Sequence, residues 1–238
     1  MVIDAEVARI LVVTAHPDDV DFGAAGSVAT WTDAGIDVSY CIVTDGDAGG
    51  FDPSVPRGEI PAIRRAEQTA AAKTVGVTDL HFLGHPDGRL EPTIELRRDI
   101  SRVIRIVRPG RVVCQSAERN YARIFASHPD HLAAGEATLC AVYPDSRNPF
   151  AHPELAAEGL EPHTVAEVWI MAATVATQVV DITDTVDRKI AALRCHESQL
   201  ANPEAIDDLI RNWGEAVAKG FDLPAGRLAE SFQVVSTV

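Results

Sequence analysis

Residues 10–19 have the sequence ILVVTAHPDD, in which an apolar run passes directly into a histidine, a proline and two aspartates. The run over residues 10–13 is typical of a buried strand of a parallel sheet. His16, Asp18 and Asp19 follow at its carboxyl end, which is the edge of an open α/β sheet where ligands and catalytic groups collect. This stretch therefore predicts both the fold class and the place of the functional site.

The rest of the chain alternates strand-like and helix-like patterns. Short β-branched runs predict further buried strands over residues 38–43, 80–83, 112–115 and 168–171. Helical patterns, several of them ended by glycine, lie over residues 25–34, 61–75, 94–107 and 132–143. The tail predicts helices over residues 183–195 and 204–219 and a candidate edge strand over residues 231–235. This alternation predicts an α/β fold with a mostly parallel sheet covered by helices on both faces.

Length and composition predict one globular domain over residues 1–238. No linker or low-complexity tract divides the chain, and 46% hydrophobic with 24% charged residues is ordinary for a globular fold. The formal charge of −14, from 21 basic and 35 acidic residues, repels nucleic acid. We therefore expect a small-molecule partner and no nucleic acid, and the sequence leaves a homo-oligomer open.

The sequence also predicts a cytoplasmic protein without a membrane partner. Asp4 and Glu6 precede the first apolar run, where a secretory signal has basic residues. The longest apolar stretch, residues 168–180, is interrupted by polar residues and is too short to span a bilayer. The four cysteines are widely separated and show no Cys-x-x-Cys pairing, so we expect reduced core residues.

A second cluster of candidate ligands contains His128 and His131. The spacing of three within this pair, and between His16 and Asp19, lets each pair present both side chains to one side. Catalytic zinc usually has three protein ligands, so the two clusters supply one ion and leave a histidine and a carboxylate over. A general base and an oxyanion-stabilising group are the further groups that amide hydrolysis needs. The spacing alone does not rank Asp18 against Asp19.

Either cluster alone is a weak signal. His85-Pro86-Asp87 repeats the first tripeptide in a glycine-bounded turn pattern, and proline and aspartate favour turns without any chemistry. The alternative for residues 16–19 is a helix N-cap in which aspartate accepts backbone N–H groups. Two clusters, each after a predicted strand, together favour a metal site. Asp130 is then expected to support a ligand histidine rather than to bind the ion.

These motifs resemble those of the metal-dependent N-deacetylases named after LmbE and PIG-L. The similarity extends from about residue 9 to residue 200, and the first and fourth motifs together are highly specific. The matching residues are Ala-His-Pro-Asp-Asp at 15–19 with Gly23 and Gly26, Thr44-Asp45-Gly46 with Gly49, Arg64 and Glu67 before Val75-Gly76-Val77, His128-Pro129-Asp130-His131, and His196-x-Ser198-Gln199.

The resemblance implies a Rossmann-like fold and a zinc ion, or another divalent metal, bound by His16, Asp19 and His131. It also implies that Asp18 is the general base and that a protonated His128 stabilises the transition state. Zinc lowers the pKa of bound water to about 7, which suits attack on an acetamide carbonyl. The expected activity is hydrolysis of the N-acetyl group of an N-acetylglucosamine-type sugar conjugate.

Three further residues are candidates for substrate contacts. Arg64 resembles the family's substrate-contacting arginine, with a solvated ion pair to Glu67 as the alternative. Asp87 is a candidate for bonding a substrate hydroxyl, and a simple turn is the alternative. Arg123 lies in the polar segment before His128, where it could reach an anionic or hydroxyl-rich part of a substrate, with a plain surface loop as the alternative.

Two other functions stay open at this point. An amidase that cleaves a larger acyl group from a thiol or antibiotic conjugate would use the same residues. A non-catalytic, metal-containing small-molecule binding protein would need neither Asp18 nor His128. The presence of both residues therefore favours the enzyme.

Overall fold

A seven-stranded sheet organises the computed structural model, which describes residues 7–238. The strands are β1 (Arg9–Thr14), β2 (Asp37–Thr44), β3 (Asp79–His85), β4 (Arg111–Gln115), β5 (Glu167–Met171), β6 (Gln178–Asp181) and β7 (Ala229–Ser236). Their order across the sheet is β3-β2-β1-β4-β5-β7-β6. The first five are parallel to one another, and β7 is antiparallel to both β5 and β6. The predicted mostly parallel α/β fold is confirmed.

Helices connect these strands and cover the sheet. They are α1 (Asp19–Gly23), α2 (Ala25–Asp33), α3 (Ile60–Thr74), α4 (Ile94–Val107), α5 (Pro129–Cys140), α6 (Pro153–Ala157), α7 (Val186–Arg194) and α8 (Ile206–Gly220). The local sequence explains where two of these helices begin. The side chain of Thr93 accepts the backbone N–H of Leu96 and so caps α4, while Pro129 occupies the first position of α5, where its missing N–H costs nothing.

Both faces of the sheet are buried, which explains the continuous apolar run of β1. Successive side chains of a strand point to opposite faces. Ile10 and Val12 accordingly pack into a cluster that includes residues of α2, whereas Leu11 and Val13 pack into a second cluster with residues of α4 and α5. Because helices cover both sides, neither set of side chains is left to solvent.

The carboxyl-terminal part differs from the sequence prediction. The strand expected at the edge over residues 231–235 is β7, which pairs with β5 on one side and β6 on the other. The strand at this edge of the sheet is β6. It was not predicted, because its four residues offer too few alternating positions to separate it from the apolar stretch before it. The helix expected over residues 132–143 is α5, which ends at Cys140 and is followed by a short π-helical segment over Ala141–Asp145 that is interrupted at Tyr143.

The structure tests only some of the features from which a cytoplasmic protein was predicted. Asp4 and Glu6 lie outside the described residues. Among the helices of residues 7–238, none combines the length and apolar character that crossing a bilayer requires. All four cysteines are free, but only Cys41 and Cys114 are buried as expected, and the other two are partly exposed.

The strand order creates one crevice at the carboxyl edge of the sheet. The chain runs from β1 outward through β2 and β3, and then returns to place β4 on the other side of β1. In open α/β sheets, ligands bind outside the carboxyl ends of the strands where the order reverses in this way. The segments that follow β1 and β4 therefore border the same crevice, and they carry the two histidine clusters.

Candidate active site and metal centre

Three predicted ligand side chains meet at the crevice between β1 and β4. His16 follows β1, Asp19 begins α1, and His131 lies in the first turn of α5. The distances are 3.2 Å from His16 Nδ1 to His131 Nε2, 3.0 Å from His131 Nε2 to Asp19 Oδ1, and 3.3 Å from His16 Nδ1 to Asp19 Oδ2. The fold thus brings two imidazoles and one carboxylate from distant parts of the sequence together.

These separations fit a tetrahedral metal ion. Metal–nitrogen and metal–oxygen bonds of about 2.0–2.2 Å place neighbouring ligand atoms of a tetrahedron about 3.3–3.6 Å apart. The three separations fall at or just below that value, with Asp19 presenting Oδ1 to His131 and Oδ2 to His16. His128 is also close enough to contribute a ligand atom to the same ion, because one ligand atom from each of His16, His128 and His131 lies within 4.8 Å of the others.

The second ring nitrogen of His16 faces two buried carboxylates. His16 Nε2 lies 3.0 Å from Asp87 Oδ1 and 3.2 Å from Asp130 Oδ2. Asp130 is fixed in turn, because it accepts the backbone N–H groups of Gly88 at 2.7 Å and Leu90 at 3.2 Å. A metal-binding histidine usually donates its other N–H to such a carboxylate, which directs the free lone pair to the ion. Asp130 has the contact expected of a supporting residue, and Asp87 shares it.

The charges around His16 favour a cation. Burial alone would lower the pKa of His16, but the carboxylates of Asp19, Asp130 and Asp87 raise it to about 12. Burial alone would raise the pKa of Asp19, but His131 and His16 hold it well below its usual range. A divalent ion that displaced the proton of His16 would satisfy the same carboxylates. The donor set and its charge therefore fit a bound metal.

Asp18 has different partners from its neighbour Asp19. Its backbone is left-handed, with φ 101° and ψ −28°, which is a strained conformation for a residue other than glycine. Its Oδ2 lies 3.2 Å from Nη2 of the buried Arg64, which also donates to the carbonyl of Pro17. Burial and the charge of Asp19 raise the pKa of Asp18 to about 7, against the opposing charge of Arg64. Such a carboxyl group is suited to exchanging protons near neutral pH.

His128 stands at the start of α5 as the N-cap residue of that helix. Its Nδ1 accepts the backbone N–H of Asp130 at 3.2 Å, so the ring proton is on Nε2. Burial, together with His16 and His131, lowers the pKa of His128. The protonated His128 implied by the family resemblance stays a prediction, and with Nδ1 engaged by Asp130 the Nε2–H of the neutral ring is available as a hydrogen-bond donor.

The ion pair of Arg64 with Glu67, which was the alternative to a substrate contact, is replaced by other contacts, and the substrate contact of Arg64 stays a prediction. Arg64 is buried against Asp18, while Glu67 accepts the backbone N–H and the hydroxyl of Ser198, both at 2.8 Å. The loop after β2 approaches the arginine closely, because a Cβ at Gly49 would lie 2.4 Å from its Nη1. This predicted motif therefore packs against the side of the site.

Arg123 is exposed, and its guanidinium lies 5.4 Å from the ring centre of Trp213 on α8. It does not belong to the cluster of His16, Asp19 and His131 described above. Whether it contacts a substrate stays a prediction.

Two buried residues that the sequence did not single out complete the site. Gln68 Oε1 accepts the backbone N–H of Asp18 at 2.7 Å, and Gln68 Nε2 donates to Asp21 Oδ2 at 2.8 Å. Gln68 follows Arg64 by four positions on α3, so both lie on one face of that helix. This spacing was the signal that could have identified it.

Comparison with known proteins identifies the family. The family PIG-L, described as GlcNAc-PI de-N-acetylase, matches residues 11–142. The chain is 34% identical over 231 residues to the diacetylchitobiose deacetylase of Thermococcus kodakarensis, which covers 97% of this chain and 84% of that protein. It is 29% identical over 223 residues to a probable N-acetyl-alpha-D-glucosaminyl L-malate deacetylase 2 of Bacillus anthracis, which covers 89% of each chain.

A solved structure has the same architecture. The N,N'-diacetylchitobiose deacetylase from Pyrococcus horikoshii, in complex with its inhibitor MPG, has a TM-score of 0.88 and 27% identity over 97% of this chain and 85% of that chain. The family match over residues 11–142 includes both histidine clusters together with β4 and the last four residues of β1. The sequence, the fold and the site therefore agree, and this chain belongs to the PIG-L family of metal-dependent deacetylases.

Proposed function

We propose that this protein is a zinc-dependent deacetylase that hydrolyses the N-acetyl group of an N-acetylglucosamine-type sugar conjugate. The names of the relatives support the substrate class, since diacetylchitobiose and N-acetylglucosaminyl malate both contain N-acetylated amino sugars. Two imidazoles and one carboxylate support zinc, because catalytic zinc commonly has three such protein ligands. Another divalent ion at the same ligands is the alternative.

The residues divide the work of amide hydrolysis. His16, Asp19 and His131 would hold the ion, which supplies Lewis acidity that activates water and polarises an amide carbonyl near neutral pH. Asp18 accepts the proton of the attacking water, and Arg64 keeps its carboxylate oriented. The new bond joins the water oxygen to the carbonyl carbon.

His128 and Asp18 complete the reaction. His128 donates Nε2–H to the carbonyl oxygen as that oxygen gains negative charge, a role for which the neutral ring is sufficient. When the carbon–nitrogen bond breaks, Asp18 transfers its proton to the leaving nitrogen. The products are acetic acid, which passes its proton to the amine or to solvent at neutral pH, and a free amino sugar, and Asp18 is again ionised.

The observation that carries this proposal is the difference between two adjacent aspartates. Asp19 contacts both ligand histidines, whereas Asp18 is paired with Arg64 and remains beside the cluster. Burial raises the pKa of Asp18 to about 7. A site that only stored an ion would not need a second carboxyl group tuned to neutral pH, whereas a general base requires one.

The test is free-amine release by the metal-loaded protein from N-acetylglucosamine, N,N'-diacetylchitobiose and an N-acetylglucosaminyl conjugate, each compared with an analogue that has a longer acyl chain. We expect release from the acetylated sugars that a chelator abolishes and zinc restores. Faster release from the longer acyl analogues would identify the amidase alternative. Stoichiometric metal without amine release from any compound would identify the binding protein.

A further inference from the structure

We propose that His196 is a positioning residue for Asp18, and that it acts through a buried chain of hydrogen bonds formed by Asp21 and Gln68. The inference rests on the proposed role of Asp18 as general base. It assigns a role to the segment His196-Glu197-Ser198-Gln199, which the sequence singles out and the proposed reaction does not use.

The first link is the backbone of Asp18. Its left-handed conformation persists only if the surroundings hold it, because this conformation is unfavourable for a residue with a Cβ. The carbonyl of Asp18 accepts the N–H groups of Asp21 at 2.9 Å and Phe22 at 3.0 Å. Its own N–H is bound by Gln68 Oε1 at 2.7 Å. Gln68 therefore holds the N–H side of the peptide group between Pro17 and Asp18, whose carbonyl side accepts from Arg64.

The second link fixes the orientation of the Gln68 amide. One end of this amide is an acceptor and the other is a donor. Because Nε2 donates to Asp21 Oδ2 at 2.8 Å, the oxygen is directed towards the N–H of Asp18. A rotated amide would place its NH2 group against that N–H and its oxygen against the carboxylate. The carboxylate of Asp21 thus selects the orientation that supports Asp18.

The third link is His196, which holds the carboxylate of Asp21. His196 Nε2 lies 2.8 Å from Asp21 Oδ2, and Asp21, Gln68 and His196 are all at most 1% exposed. Within the part of the chain that the structure describes, neither Asp21 Oδ1 nor His196 Nδ1 has a further hydrogen-bond partner. The carboxylate therefore depends on two donors, His196 and Gln68. A buried carboxylate that loses one of two donors is strongly destabilised in that position, so Asp21 and Gln68 would move.

The same segment offers a control residue. His196 follows the end of α7, and two positions later Ser198 donates its hydroxyl to Glu67 Oε2 at 2.8 Å. Ser198 thus attaches the segment to α3 without contacting Asp21. Loss of the Ser198 hydroxyl tests attachment of the segment, whereas loss of the His196 Nε2–H tests the chain that leads to Asp18.

The experiment compares His196→Gln, His196→Asn and His196→Leu with Ser198→Ala. A glutamine can place its amide nitrogen near the position of Nε2, whereas the shorter asparagine cannot reach Asp21. For the asparagine and leucine variants we expect kcat to fall by about 10- to 100-fold with KM nearly unchanged, since a misplaced catalytic group costs rate rather than binding. The glutamine variant and Ser198→Ala should retain most of kcat. Rates are expressed per bound metal, and melting temperatures are measured for every variant.

Gln68→Met provides a second route to the same chain. It should reproduce the fall in kcat, and adding His196→Leu should make it little worse, because both changes break one chain. Equal kcat for the glutamine and asparagine variants would overturn the inference. So would rate losses that vanish once metal content is corrected, or fully additive effects in the double variant. Absence of turnover in the unmodified protein would instead count against the proposed function.

Discussion

At the scale of single residues, two adjacent aspartates with the same side chain differ because their carboxylates point to different partners. Asp19 contacts His16 and His131, whereas Asp18 contacts Arg64. The left-handed backbone of Asp18 contributes to this difference, because it turns the chain sharply at the start of α1. Adjacent carboxylates can therefore act as ligand and as base within one turn of the chain.

Replacement of Asp18 by Asn should separate catalysis from metal binding. Because the amide cannot accept a proton, we expect kcat to fall by about 10²- to 10⁴-fold while metal content stays at the wild-type value. Asp79→Asn, an exposed carboxylate at the opposite edge of the sheet, is the matched control and should be neutral. Parallel loss of metal and rate in Asp18→Asn would show instead that Asp18 is a ligand.

Replacement of His128 by Ala tests the donor assigned to the carbonyl oxygen. We expect kcat and kcat/KM to fall together by about 10²- to 10³-fold, because the hydrogen bond strengthens only as charge develops. Metal content should be retained, because Nδ1 of this ring is engaged by the backbone of Asp130. Loss of the ion in this variant would make His128 a fourth ligand and would favour a closed, non-catalytic site.

At the scale of elements, a long-range contact holds the first turn of α2. Glu230 of β7 accepts the backbone N–H groups of Gly26 at 3.1 Å and Ser27 at 2.7 Å, at the positive end of α2. Its Oε1 also lies 2.5 Å from Lys189 Nζ of α7, and both side chains are buried. One carboxylate therefore joins a strand and two helices.

Replacement of Glu230 by Gln should destabilise the fold strongly. The change leaves the Lys189 ammonium buried without its counter-charge, and breaking a buried pair typically costs about 3–5 kcal/mol. Asp33→Asn is the matched control, because it removes a largely exposed partner of Arg188 and should cost less than about 1 kcal/mol. Denaturant unfolding measures both free energies, and equal values for the two variants would contradict the assigned role of Glu230.

The elements that the sequence predicted best are the strands whose burial on both faces produces a continuous apolar run. β1, β2 and β4 are covered on both faces, so their apolar runs are continuous and unambiguous. The meeting of the two histidine clusters was predictable as well, since it follows from the carboxyl ends of parallel strands. The edge strand β6 left no such pattern. The spacing of four from Arg64 pointed to Gln68, but the role of Asp21 depends on how α3 packs against the loop after β1, which no local sequence signal records.

At the scale of the whole molecule, the fold concentrates negative charge from three separate segments around one imidazole. Asp19, Asp87 and Asp130 surround His16, against the opposing effect of burial, and raise its pKa to about 12. A folded-state pKa above the unfolded value of about 6.5 stabilises the metal-free protein fully below that pH. This stabilisation declines as the pH rises towards 12.

Metal binding should therefore release a proton from the protein. His16 must be unprotonated at Nδ1 to act as a ligand, so between pH 8 and 9 we expect about one proton released per ion and an affinity that rises about tenfold per pH unit. Calorimetric titration in two buffers of different ionisation enthalpy measures the proton count. Binding without proton release in this range would show that His16 is already neutral in the metal-free protein.

The proposed metal centre consists of the ligands His16, Asp19 and His131, and metal stoichiometry tests this ligand set directly. Elemental analysis after zinc loading and desalting should find about one zinc per chain in the unmodified protein and in His81→Ala, a histidine outside the crevice. His131→Ala should retain only a small fraction, because it removes one of three protein ligands. If His131→Ala still held about one zinc per chain, the proposed metal centre would be wrong.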